Sequence, residues 1–155
     1  MQPATPAIDP QRLAEQVRDH MWAGDTASQA LGMRVTAIGP GCATIEMPVR
    51  ADMLNGHQTC HGGLLAALAD SAFAFACNSY NELTLASSLS VDLVAPAREG
   101  DVLTARASEA SRAGRTGVYD IVVTNQRGER VALVRGRSYT MKGKPTVALP
   151  VTPAV

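Results

Sequence analysis

One stretch constrains this chain more than any other: residues 64–77, Leu-Leu-Ala-Ala-Leu-Ala-Asp-Ser-Ala-Phe-Ala-Phe-Ala-Cys. Ala and Leu dominate it and neither Pro nor Gly interrupts it, so the stretch predicts a helix. Most helices in small domains show one polar face, and this one shows almost none. A helix that is apolar all round is expected to be buried on all sides. Asp70 is its one acidic or basic side chain. A lone carboxylate in such surroundings is costly unless it is paired, hydrated or used. Asp70 is therefore the first candidate for chemistry.

Around that helix the pattern alternates. Residues 1–10 hold three prolines and predict a loose arm. Residues 10–23, with Asp9 as cap and Leu13, Val17, Met21 and Trp22 at helical spacing, predict an amphipathic helix. A short turn through 26–31 follows. Strands are expected at 34–38 and 43–49, joined by Gly39-Pro-Gly41, and the 50–61 loop precedes the central helix. Four more strands are expected at 86–93, 102–111, 116–125 and 129–141, separated by Gly-containing turns. The tail from 142 predicts irregular structure. The chain thus divides into an N-terminal arm and helix (1–24), a main domain (25–142) and a tail (143–155). Two strands, an apolar helix and four strands make an α+β layer protein, in which about six antiparallel strands curl around one buried helix.

Several function classes drop out. The 155-residue chain fits one domain with a single core. Its formal net charge is zero, so nothing global points to nucleic acid or an anionic membrane. No apolar run reaches membrane-span length, and the N-terminus lacks a secretory pattern. Cys42, Cys60 and Cys77 are odd in number and unlike in context, which fits a reducing cytoplasm better than a disulfide framework. Nine of the fourteen Lys and Arg lie between Arg106 and Lys144, opposed only by Glu109, Asp120 and Glu129. They read either as solvated strand positions or as a docking surface for a phosphorylated ligand.

At 100° per residue, Leu64, Leu65, Leu68 and Phe75 share one side of the helix. Gly63, Ala66, Ala67, Asp70, Ala74 and Cys77 share much of the other, with Phe73 beside them. The bulky side is expected on the chain's own sheet, and the small side permits close approach of something else. At the helix start, Gly62 and Gly63 leave backbone N–H groups open to an anion or a developing oxyanion. Gly62 and Asp70 are eight residues apart, roughly 12 Å along a helix axis. That is too far for both to act on one carbonyl from a single chain. Cooperation requires a dimer, with the donors from one protomer and the carboxylate from the other. Asn55 and His61 travel with the glycines.

The run Asn55-Gly-His…His61-Gly-Gly…Leu68-Ala-Asp70…Asn78 resembles the signature of the PaaI-type phenylacetic-acid degradation thioesterases of the hotdog superfamily. The similarity is closest through 53–63 and 72–79 and spans roughly residues 25–142. It implies a hotdog fold and hydrolysis of acyl-CoA thioesters without metal or organic cofactor. By that resemblance Asp70 is nucleophile or general base, and Gly62 N–H, with Gly63, polarises the carbonyl. Asn55 positions the water or the carbonyl, and His61 lies near the thioester sulfur. Ser87 or Ser88 holds the water. The acyl group lies beside Phe73 and Ala74, and Arg112 and Arg115, flanking Gly114, with Lys142, face the phosphates of coenzyme A. The resemblance further implies phenylacetyl-CoA or its ring-hydroxylated form as substrate, and a tetramer of two such dimers.

Rival readings remain open at this level. His57, Cys60 and His61 form H-x-x-C-H, although a zinc site usually needs a fourth ligand. A hydratase or dehydratase of acyl thioesters would pair His61 with Asp70. A non-catalytic acyl-CoA sensor would share the fold without turnover.

Overall fold

Capping residues set where the first two helices begin. Asp9 Oδ2 accepts the Arg12 N–H at 3.0 Å and starts α1 (Pro10–Gly24) at a proline. Asp25 Oδ1 accepts the Ser28 N–H at 3.0 Å and starts α2 (Thr26–Ala30), where only a turn was expected. Five residues carry no readable period, so the cap is the one local signal for this short helix. The computed structural model describes residues 8–148. Most of the expected N-terminal arm (1–7) and the end of the tail (149–155) lie outside the described residues.

The remaining elements follow in the expected order: β1 (Arg34–Gly39), β2 (Cys42–Pro48), a 3-10 turn (Ala51–Met53), α3 (Gly62–Asn78), β3 (Thr84–Leu93), β4 (Val102–Ala113), β5 (Thr116–Thr124) and β6 (Arg130–Thr140). Six strands form one sheet in the order β1-β2-β4-β5-β6-β3, with every pair antiparallel. Register shifts at Val35/Ala37, Ala86/Ser88 and Glu109/Ser111 add local twist and let the sheet curl. This is the hotdog arrangement of a curved sheet around a helix.

The core lies between α3 and the concave face. Leu65, Leu68, Ala72, Phe73, Phe75 and Ala76 of the helix are buried with Ile45, Met47, Leu103, Ala105, Ile121 and Val123 of the strands. The Phe73 ring lies so close to β6 that a Cβ on Gly136 would stand 3.0 Å from three of its atoms. It also meets Tyr119, with ring centroids 5.4 Å apart. Tyr119 and Tyr80 both donate to Glu109 Oε2 at 3.0 Å, which satisfies their hydroxyls at the far end of the helix. Burial pushes the Cys77 thiol up to about 12, consistent with a packing residue rather than a reactive one.

One expectation is corrected here. The sheet of one chain does not enclose α3 on all sides. Gly63 is exposed, and Leu64, Ala66, Ala67, Asp70, Ser71 and Ala74 are half-buried. Beside them β3 occupies the end of the sheet and leaves Leu89 and Leu93 open, the latter 54% exposed. The helix is apolar almost all round, yet the sheet of its own chain covers only one side of it.

Candidate active site

The 50–61 loop is held at both ends before it delivers its side chains. His61 N–H donates to Met53 O and Cys60 N–H to Ala97 O, each at 2.8 Å. Between them Leu54 and Cys60 form an isolated antiparallel bridge. Asn55 organises the tip: its Oδ1 accepts from His57 N, Thr59 N and Thr59 Oγ1 at 2.9, 3.2 and 3.2 Å. That geometry is an Asx turn, and the left-handed Gln58 (φ 59°) closes it. The Asn55 oxygen is thus engaged, which leaves its Nδ2 amide as the group open to a ligand.

At the start of α3 the two glycines separate. Gly63 N–H donates to His61 Nδ1 at 3.0 Å, so the ring serves as the helix cap. Gly62 N–H has no partner among the described residues. A Cβ on Gly62 would come within 2.6 Å of Leu93 Cδ1, so the end of β3 presses directly on this residue. The open donor at the helix start is therefore Gly62 alone.

Two turns further on, Asp70 makes no ion pair or hydrogen bond among the described residues. Burial pushes its carboxyl above the usual carboxylate range, with no counter-charge to oppose the shift. It opens on a groove of about 280 Å³ between α2 and α3, lined by Ala27, Leu31, Met33, Ala67 and Ala74, with Ser28 and Ser71 bonded to each other at 2.9 Å. Sequence reasoning missed this wall; the Asp25 cap of α2 was the signal that could have placed it.

Other candidates fall elsewhere. Phe73 is fully buried against Gly136 and does not line an acyl gap, because the side-chain-free position on β6 draws the ring inward. Ala74 does line the groove. Ser88 pairs directly with Arg137, while its neighbour Leu89 pairs with Gly136, the position that faces α3. Directly paired residues share a face, so Ser88 lies on the sheet face away from α3. Ser87, at the register shift, donates to Arg137 O at 3.0 Å and retains only its lone pairs. Register thus separates two serines that sequence could not.

Arg112 is occupied. Its guanidinium stacks 3.7 Å from the Tyr80 ring centroid and reaches Glu109 at 3.8 Å and Glu82 at 4.0 Å. Gly114 (φ 61°) makes the β4–β5 turn, and Arg115 and Lys142 form no ion pair among the described residues. All four belong to the end of the sheet where Asn78 binds Thr84 and Thr140 meets Thr84. Gly62 touches Leu93 at the other end of β3, roughly 30 Å away along a ten-residue strand. His57, Cys60 and His61 form no metal-holding cluster; no group of three His, Cys, Asp or Glu side chains converges among the described residues.

The family model described as the thioesterase superfamily matches residues 57–132, the span from the Asn55 loop to β6. The chain is 45% identical over 126 residues to the acyl-coenzyme A thioesterase PaaI of Escherichia coli K12, covering 81% of this chain and 90% of that one. The structure of E. coli PaaI, from the phenylacetic acid degradation operon, superposes with a TM-score of 0.86 at 43% identity, covering 88% of this chain and 99% of that one. A mutant of the phenylacetic acid degradation protein PaaI from Thermus thermophilus gives 0.71 at 40% identity, covering 74% and 97%. On this identity and coverage, and with its hotdog fold, the chain belongs to the thioesterase superfamily as a PaaI-type member.

Proposed function

We infer that the protein is an acyl-CoA thioesterase that hydrolyses phenylacetyl-CoA or its ring-hydroxylated form to the free acid and CoA, as an enzyme of phenylacetate catabolism in the cytoplasm. One observation carries the reading: a desolvated carboxylate without a partner and a free helix-start N–H sit on one helix at a spacing that forbids joint action within a chain.

The chemistry needs both. Asp70 attacks the thioester carbonyl as nucleophile, or takes a proton from the water that attacks it. Its raised pKa suits the second role, because a carboxylate whose pKa burial has pushed upward is the stronger base. The carbonyl oxygen becomes an oxyanion and accepts from the Gly62 N–H of a second protomer, with Asn55 Nδ2 beside it. The C–S bond then breaks and the sulfur leaves as thiolate. The groove between α2 and α3 takes the acyl group.

A two-fold partner also accounts for the open seam of Gly63, Ala66, Leu89 and Leu93, which one chain leaves only partly covered. An antiparallel partner brings its own basic β4–β5 turn toward the Gly62 end, where Arg115 and Lys142 meet the CoA phosphates. Two such dimers make the tetramer.

Mixing two dead variants tests the shared site. Asp70→Asn and Asn55→Ala are each expected to lose nearly all release of CoA thiol. Refolded together, they form mixed dimers in which one of two sites holds both native residues, and thiol release returns. Absence of recovery in verified mixed dimers would overturn the shared site.

A further inference from the structure

The bond between His61 and Gly63 decides more than a helix cap. A backbone N–H is always a donor, so His61 Nδ1, 3.0 Å from Gly63 N, must present its lone pair. A neutral imidazole carries one ring proton, which then resides on Nε2. His61 is exposed, and its Nε2 has no partner among the described residues. The same contact explains why residue 63 is glycine: a Cβ there would lie 3.1 Å from Nδ1 and 3.4 Å from Cε1 of the ring. Any side chain at 63 would press on the imidazole that its own N–H holds.

We propose that Gly63 is a positioning residue that locks His61 in its Nε2–H form, so that the ring meets a ligand at the start of α3 as a hydrogen-bond donor and never as a base. In the hydrolysis inferred above, on which this rests, the acceptor is the departing sulfur. When the C–S bond breaks, its electron pair stays on sulfur and the Nε2–H bonds to that thiolate without transfer of the ring proton. The lock also bears on the rival hydratase chemistry. A His61 base would need a lone pair on Nε2 as well, which a neutral imidazole with Nδ1 already accepting does not have.

The test begins with the full-length protein labelled with ¹⁵N-histidine, at alkaline pH where imidazole is neutral. Two-bond ¹H–¹⁵N correlations of its three histidines are recorded, and His61→Asn identifies the His61 signals. The expected pattern is a single Nε2–H tautomer for His61. A Nδ1–H pattern, or averaging between the two tautomers, would overturn the lock. Kinetics of thiol release from phenylacetyl-CoA supply the second readout. Asn is a good cap, so His61→Asn keeps the Gly63 bond and the melting temperature, while its shorter amide stops well short of the position that the Nε2–H occupies. Its kcat is expected to fall about tenfold with KM nearly unchanged, less than the ~100-fold typical of proton transfer, because a thiolate leaves readily. A wild-type kcat in His61→Asn overturns the donor role. If the wild-type protein releases no thiol at all, the hydrolase reading and the donor role fall with it, and the spectrum still decides the tautomer.

Discussion

Asp70 and Asp101 are both carboxylates taken largely out of water, and the protein treats them in opposite ways. Asp101 is saturated: Oδ2 accepts the Arg98 N–H at 2.9 Å, and Oδ1 accepts from Gln126 Nε2 at 2.9 Å and Arg127 Nη1 at 3.4 Å. The Arg98 N–H, together with Gln126 and Arg127, holds its pKa below the usual range. Asp70 has no such partner, and burial alone pushes its pKa up. The first carboxylate locks a turn whose Ala97 carbonyl anchors the Asn55 loop. The second costs stability, and the proposed hydrolysis gives that cost a use, since buried groups without partners concentrate at functional sites.

The largest expected effect follows from that contrast. Asp70→Asn should lower kcat for phenylacetyl-CoA by about 10³-fold, within the range for loss of a general base, while thermal unfolding stays at or above the wild-type temperature. A wild-type rate in this variant would sink the assignment of Asp70. Asp101→Ala should behave the other way round. It strands the Arg98 N–H and the Gln126 amide, at a cost of about 1–3 kcal/mol in urea unfolding, with thiol release preserved in the molecules that remain folded. Gly136→Ala tests the packing that draws Phe73 away from the groove. Its methyl would crowd the ring at 3.0 Å, and overpacking of that kind costs about 1–3 kcal/mol.

Acid sharpens the comparison further. Asp101 has a lowered folded pKa, so its contribution is present above the ordinary carboxylate pKa and is lost as pH falls through the folded value. Asp70 has a raised folded pKa, so the folded state binds its proton more readily, and its cost is present above that raised value and vanishes below the ordinary one. The stability advantage of Asp70→Asn should therefore shrink on acidification, whereas the deficit of Asp101→Ala should narrow because the wild type loses its own bonds. Urea unfolding at stepped pH checks both; a gap for Asp70→Asn that widens in acid would contradict the burial account. The smallest effect belongs to the exposed pair Arg135–Asp120 at 2.8 Å, whose removal by Arg135→Ala should cost under about 1 kcal/mol.

Much of this arrangement was legible in the chain. The uninterrupted Ala and Leu of α3, the turn glycines and the strand patterns placed the strands within about two residues of their observed ends and the central helix almost whole. The His-Gly-Gly and Leu-Ala-Asp blocks pointed to Asp70, Gly62, Asn55 and His61, the residues on which the proposed hydrolysis is built. Three things were not legible. Phe73 depends on the absence of a side chain at Gly136, a contact across 63 residues of sequence. Ser87 and Ser88 differ only through a register shift opposite Arg137. The division of labour between Gly62 and Gly63 depends on where the His61 ring and Leu93 lie.

Local patterns determine which residues form helix or strand and which residue types are available for chemistry, because period and propensity act over a few neighbours. Which N–H stays free, which hydroxyl turns away from the helix and which ring closes the core are decided by contacts between distant parts of the chain. Those contacts depend on register, and a one-residue slip exchanges the two faces of a strand. Sequence therefore supplied Asp70, and only the packed sheet left it unpaired.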